Sequence, residues 1–198
     1  MSPMPKTVTG WHFAASQNGV AVTNYGTKQE IHKGTRLTVE DEIIPCRTGL
    51  HASLAALDAL QYAQGSMVSR VTLSGTIRPH GDPIDKYAAS VRTHDTEPVD
   101  ALPVFDAFAE WCAQLATWHA FDAARDVARA AWAARDVARV AWDAAWDARD
   151  ARDVARAARA ARNAAWATWS ARDAWDVAWA AINAKLESML TDLIEGAV

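Results

Sequence analysis

Two histidine-bearing segments are where this chain is equipped for chemistry. Trp11-His12 lies in the run Gly10-Trp11-His12-Phe13, and His51 lies in Arg47-Thr48-Gly49-Leu50-His51-Ala52-Ser53. Imidazole titrates near neutral pH and both donates and accepts hydrogen bonds, so it suits proton transfer or ligand binding. Trp11, His12 and His51 are therefore the candidate lining of a pocket. The competing reading is structural, because a lone histidine more often serves packing than chemistry. The rest of the inventory is short. There is no HExxH, no Cys/His cluster and no acidic metal cluster, so no metal is expected. There is no GxGxxG, P-loop or GxSxG either, so no cofactor and no catalytic residue are assigned. Cys46 and Cys112 are the only cysteines and are far apart. They make no disulfide framework and suit a reducing cytoplasm. Cys46 has no activating neighbour and reads as a buried thiol.

A second candidate is basic. On a helix, Arg149, Arg152, Arg156 and Arg159 fall on one side, with tryptophans before and after them in sequence. Arginine beside aromatic rings is the chemistry of nucleic-acid stacking and phosphate contact. Asp147, Asp150 and Asp153 are interleaved, and residues 121–184 hold ten Arg against nine Asp. The net charge is −4. Both facts favour ion-paired faces over a nucleic-acid partner.

The elements that must carry these residues divide the chain. Residues 1–80 are mixed, and eight of the nine glycines lie at or before Gly81. Strand-like runs are Val20–Asn24, Arg36–Val39, Glu42–Pro45 and Val68–Ile77, the last with a period-2 alternation. One helix is expected from a Ser53 cap to a Gly65 stop, with Leu54, Leu57, Leu60 and Tyr62 at helical spacing. This is a small α+β head domain. Residues 81–103 contain Pro83, Pro98 and Pro103 and read as a connector. From Val104 to Glu195 there is no proline or glycine, and 27 of the 64 residues 121–184 are alanine. That is strong local helix propensity.

The tail is repetitive. Triplets of Ala, then Arg or Trp, then Asp or a small residue recur, and ARDVAR starts at Ala124, Ala134 and Ala151. Such spacing gives parallel stripes on a helix. Trp132, Trp142, Trp146, Trp166, Trp169, Trp175 and Trp179 are the expected packing face, each a contact of about 150–250 Å². A spacer roughly every ten residues makes the repeat about 3.3 residues per turn, below the 3.6 of a straight helix. The stripes then wind around the helix. The expectation is several helices with a break near 163–170, or a tight supercoil. The fold class is thus α+β, a small mixed head followed by long Ala/Trp-rich α-helices in a bundle or supercoiled assembly over 104–198. Drift in a repetitive coding sequence is the alternative origin of the repeat.

The segments Gly10–Phe13, Glu42–Ser53, Ala56–Ala63 and Arg70–Gly75, continued by Gly81-Asp82 and Lys86–Ser90, resemble a small domain of phages and bacteria with no established activity. Its pattern is C-x-x-G-x-H-A, a short helix, then a strand ending in Ser-Gly. The resemblance covers residues 9–95 and implies a phage or prophage source and an alanine-rich tail. A second resemblance is to ADP-ribosyltransferase-like folds, through Gly49–Ala63 and Val68–Ser74. It implies that Trp11, His12 and His51 face a nicotinamide nucleotide, but no Gln-x-Glu follows the strand. The leading expectation is a non-enzymatic interaction protein that self-associates through its tail as a homo-oligomer. A head that binds a small nucleotide, or transfers ADP-ribose, is the alternative; nucleic-acid binding by the Arg/Trp tail is the second. No apolar run reaches a membrane span's length and no signal peptide is read at the N-terminus, so a cytoplasmic protein is expected, in the host cytoplasm if phage encoded.

Overall fold

The run with the clearest alternation becomes the centre of a sheet. In the computed structural model, which describes residues 5–23, 28–124 and 172–196, this run is β5 (Met67–His80). Antiparallel to it lie β1 (Thr7–Gln17) on one side and β6 (Lys86–His94) on the other. β2 (Val20–Val22) returns along β1 through Asn18-Gly19, both with positive φ. That is the turn geometry that matches strand twist. β3 (Arg36–Thr38) and β4 (Leu50–Ala52) share the outer edge of β6, and β7 (Val99–Asp100) pairs with the start of β5. Together they form a seven-stranded antiparallel sheet.

The sheet is curled. β4 pairs with β6, and the next residue, Ser53, pairs with Trp11 of β1. The Trp11 N–H donates to the Ser53 carbonyl at 2.8 Å and the Ser53 N–H to the Trp11 carbonyl at 3.2 Å. One short segment therefore ties together the two strands that flank β5, which only a curled sheet allows. Gly10 makes the approach feasible, since a Cβ there would sit 2.5 Å from the Ser53 carbonyl oxygen. Val8, Ala52, Val71, Leu73, Ile77 and Ala89 form one buried cluster, and Ala14, Ala21, Ile31 and Met67 a second. The short helix α1 (Ala56–Gln61) buries Ala56, Leu57, Ala59 and Leu60.

The chain divides into two units, residues 1–101 with 190–198 and residues 102–189. The second unit holds α2 (Leu102–Ala124), where Pro103 falls in the first turn, a place that needs no N–H. Phe105, Phe108, Ala109, Cys112 and Ala113 are buried at three- and four-residue steps, and Phe108 stacks on Trp111. α3 (Arg172–Gly196) buries Ile182, Leu186, Leu190 and Ile194, one residue per turn. Among the described residues no helix is long and apolar enough to cross a membrane.

The expected fold class is corrected by this architecture. A curled antiparallel sheet dominates, and no bundle or supercoiled assembly of long helices is present among the described residues. Helix propensity is a local quantity, and alanine stripes bury too little area to define a tertiary unit. The repeat between residues 125 and 171, with the break near 163–170, lies outside the described residues. The stretch 81–103, read as a connector, contains β6 and β7. Of the strand-like runs, Glu42–Pro45 forms only an isolated bridge between Ile44 and Thr48.

Candidate functional site

β6 carries the most unusual residues in the sheet. Its sequence, KYAASVRTH, buries Lys86, Arg92 and His94, all at even positions. Residues directly opposite across a ladder share a face, and alternate residues of a strand do too. His12 lies opposite Ser69, Val71 opposite His94, and Leu73 opposite Arg92. His12, Ser69, His94 and Arg92 therefore project from one face of three adjacent strands.

Arg92 is the hub. The residue is 5% exposed. Nη1 donates to the His12 Nδ1 at 3.1 Å and to the His51 carbonyl at 3.0 Å. Because a guanidinium only donates, His12 Nδ1 must be the acceptor, and the neutral ring carries its proton on Nε2. His94 Nδ1 bonds the Ser69 hydroxyl at 2.9 Å, and its ring meets His12 edge-on with centroids 5.8 Å apart. Three buried nitrogens have no hydrogen-bond partner: Arg92 Nε, His51 Nε2 and His94 Nε2. Among the described residues no carboxylate pairs with Arg92.

The electrostatics follow from that geometry. Burial pushes the Arg92 guanidinium down to about 9, so it stays charged at neutral pH. Burial, then Arg92, His94 and His51, hold His12 well below the ordinary imidazole value. Burial and Arg92 bring His94 to about 3. Burial, with Lys86, Arg92 and His80, brings His51 to about 4. One buried cation is thus bonded to the neutral His12 ring and to the backbone carbonyl of His51, with the neutral His94 ring packed edge-on against His12.

A second polar group lies along β6. Asp85, just before the strand, accepts from the Tyr62 hydroxyl and binds His80 Nδ1 at 2.9 Å. Burial alone would raise the Asp85 carboxyl, but those bonds from Tyr62 and His80 hold it below its usual range. Asp58, part-buried on α1 and near Asp85, is pushed up to about 6, by burial first. Lys86, 5% exposed, sets its Nζ 3.4 Å from the centroid of the Tyr62 ring, a cation–π contact.

Of the sequence candidates, His12 and His51 are brought together, through Arg92. Trp11 is not with them. It projects from the opposite face, 3% exposed, with the Arg70 guanidinium 4.3 Å from its ring centroid. Arg92, His94, Ser69, Lys86, His80 and Asp85 went unmarked by sequence reasoning. The available signal was the even spacing of Lys86, Arg92 and His94. Cys46, expected buried, is exposed. Arg149, Arg152, Arg156, Arg159, Trp132, Trp142, Trp146, Trp166 and Trp169 lie outside the described residues. Trp175 and Trp179 fall in α3, Trp179 part-buried. No set of His, Cys, Asp and Glu among the described residues is arranged to hold a metal ion. Comparison of the chain with family models, curated proteins and solved structures finds no match.

Proposed function

We propose that the curled sheet binds a small anionic molecule of the phosphate or nucleotide class, with Arg92 as its counter-ion and His12, His51 and His94 around it. One observation carries this reading: a guanidinium removed from water with no carboxylate partner among the described residues. Taking an ion out of water costs several kcal/mol unless a partner charge and good hydrogen bonds offset it. The guanidinium Nε and two imidazole Nε2 atoms have no partner, and an oxyanion presents the acceptors that N–H groups on such atoms require. His12 and His51, beside Arg92, are part-buried rather than fully enclosed. The role proposed is binding.

The test is titration calorimetry of the full chain with inorganic phosphate and adenosine monophosphate, alongside thermal melts. Binding should raise the melting temperature in proportion to ligand saturation. It should disappear in Arg92→Met. The reading fails if neither anion binds the wild-type chain, or if Arg92→Met binds as well as wild type.

A further inference from the structure

One end of the Arg92 site is covered by a short piece of chain. Glu30 and Ile31 pair with β2, where the Ile31 N–H donates to the Ala21 carbonyl at 2.9 Å. Three residues later the Gly34 N–H donates to the His94 carbonyl at 2.7 Å, and the His94 N–H to the Thr35 carbonyl at 2.9 Å. β2 and β6 are separated in the sheet by β1 and β5. Three strand spacings of a flat sheet are about 14 Å, more than the roughly 11 Å that Ile31 to Gly34 can span. The curl of the sheet brings the two strands within reach. Ile31, 1% exposed, packs on Ala14, Ala21 and Met67. Ala14 lies opposite Met67, two residues along from His12 opposite Ser69, so all four share a face. The link from Ile31 to Gly34 therefore lies over the end of the face that carries His12, Ser69 and His94.

Ile31 points inward, while His32, Lys33 and Gly34 are exposed. The Glu97 carboxylate reaches them from the turn after β6. It accepts from the Lys33 backbone N–H at 2.8 Å and binds His32 Nδ1 at 3.0 Å. Glu30 stands 3.5 Å from His32 Nε2, and the Lys33 ammonium acts on Glu97. His32 and Glu97 are both more than half exposed, and ion pairs so exposed are weak. Gly34 ends the link with φ at 86°. A weak surface tie on a short segment can open locally while the sheet stays intact.

We propose that Ile31–Gly34 is a movable closure over the His12–Ser69–His94 end of the site, latched by Glu97 on His32 and Lys33. Glu97 and Glu30 raise His32 above the ordinary imidazole value. The charged latch is then fully present below about pH 6.5 and is lost as pH rises through the raised value. The closure loosens towards alkaline pH. The whole fold responds in the opposite sense, because the lowered His12, His51 and His94 weaken it towards acid.

That difference in sign makes the closure testable on the full chain without ligand. Diethyl pyrocarbonate acylates the neutral imidazole nitrogen, and peptide mass spectrometry reads the rate at His94. His94 is fully enclosed and its Nε2 has no partner. With a folded value of about 3 it is already neutral from about pH 6 to about pH 8, so its rate reports access alone. Corrected for reagent decay, the wild-type rate should rise about two- to five-fold over that range, the size expected of a surface pair. Glu97→Ala should react fast at both ends of the range, with little dependence on pH. A flat wild-type rate overturns the latch, and a rate that falls with pH means that His94 is reached by global unfolding instead. Equal rates in wild type and Glu97→Ala at about pH 6 overturn it too. As the entrance for a ligand, the closure rests on the Arg92 reading. The modification uses no ligand, so it can fail while phosphate still binds, and failure of phosphate and adenosine monophosphate to bind would remove the Arg92 reading without touching it. The wild-type pH series needs no variant, so a poorly folding Glu97→Ala does not remove the test.

Discussion

Arg92 is best understood by asking what the fold would gain without it. Burial lowers its guanidinium to about 9, and each unit of such a shift is about 1.4 kcal/mol against the charged form. Two hydrogen bonds, to His12 and to the His51 carbonyl, return part of this. Neutral hydrogen bonds are worth about 1 kcal/mol each and charged ones somewhat more. Arg92→Met keeps the stem's volume and removes the charge. In anion-free buffer its unfolding free energy from urea titration should match or exceed wild type, by up to about 2 kcal/mol. A loss of about 3 kcal/mol or more would instead make the guanidinium a structural tie, as expected when a paired buried charge loses its partner. The pattern expected of a binding residue is lower stability with the side chain and lost binding without it.

At the level of elements, the closure between Ser53 and Trp11 decides whether the site forms. It carries β4, and with it His51, to the edge of β6 and to Trp11 in the middle of β1. Gly10→Ala would place a methyl 2.5 Å from the Ser53 carbonyl, against backbone rather than a movable side chain. Overpacking of this kind costs about 1–3 kcal/mol. The Trp11 and Ser53 amides should lose hydrogen-exchange protection before those at the centre of β5. Unchanged protection at both would show that the closure does not depend on the glycine. The sequence foretold β2, β3 and most of β5 as short runs of strand-forming residues between turns, β5 by its period-2 alternation. It hid β6 for the same reason. A strand that buries Lys86, Arg92 and His94 breaks the hydropathy pattern by which strands are recognised. Binding sites are where such local rules are expected to fail. Ser53 misled in another way. A serine before a leucine-rich helix reads as a cap, yet it is spent on the bridge to Trp11, and α1 begins at Ala56 with no side-chain cap bond at Ala55.

For the whole molecule, the tail's composition foretold helix where α2 and α3 stand, but not the tertiary unit, because propensity says nothing about which faces meet. The site's electrostatics, by contrast, set a property of the entire fold. His12, His51 and His94 have folded pKa values below their ordinary value. On acidification the unfolded chain takes up these protons first, so their contribution is present above about pH 6.5 and is lost as pH falls. His94 goes from an ordinary 6.5 to about 3, so its proton alone destabilises the fold by roughly 2–3 kcal/mol at about pH 4.5. Asp85 and Glu97, both lowered, act in the same direction below about pH 4. Two groups oppose them. Asp58, raised to about 6, favours the fold at low pH and loses that contribution as pH rises through the folded value. His32, raised by Glu97 and Glu30, acts likewise, but it is exposed and screened. Three lowered imidazoles outweigh one raised carboxyl and one surface histidine. The urea midpoint should therefore fall steadily from about pH 7.5 to about pH 4.5, well before ordinary carboxylates titrate. His94→Asn retains a polar atom near Nδ1, facing Ser69, and removes the titration, so it should flatten that slope. A midpoint that holds or rises over this range would mean the three imidazoles are not held neutral by the fold, and that Arg92 does not sit in the dry, uncompensated surroundings from which its role is inferred.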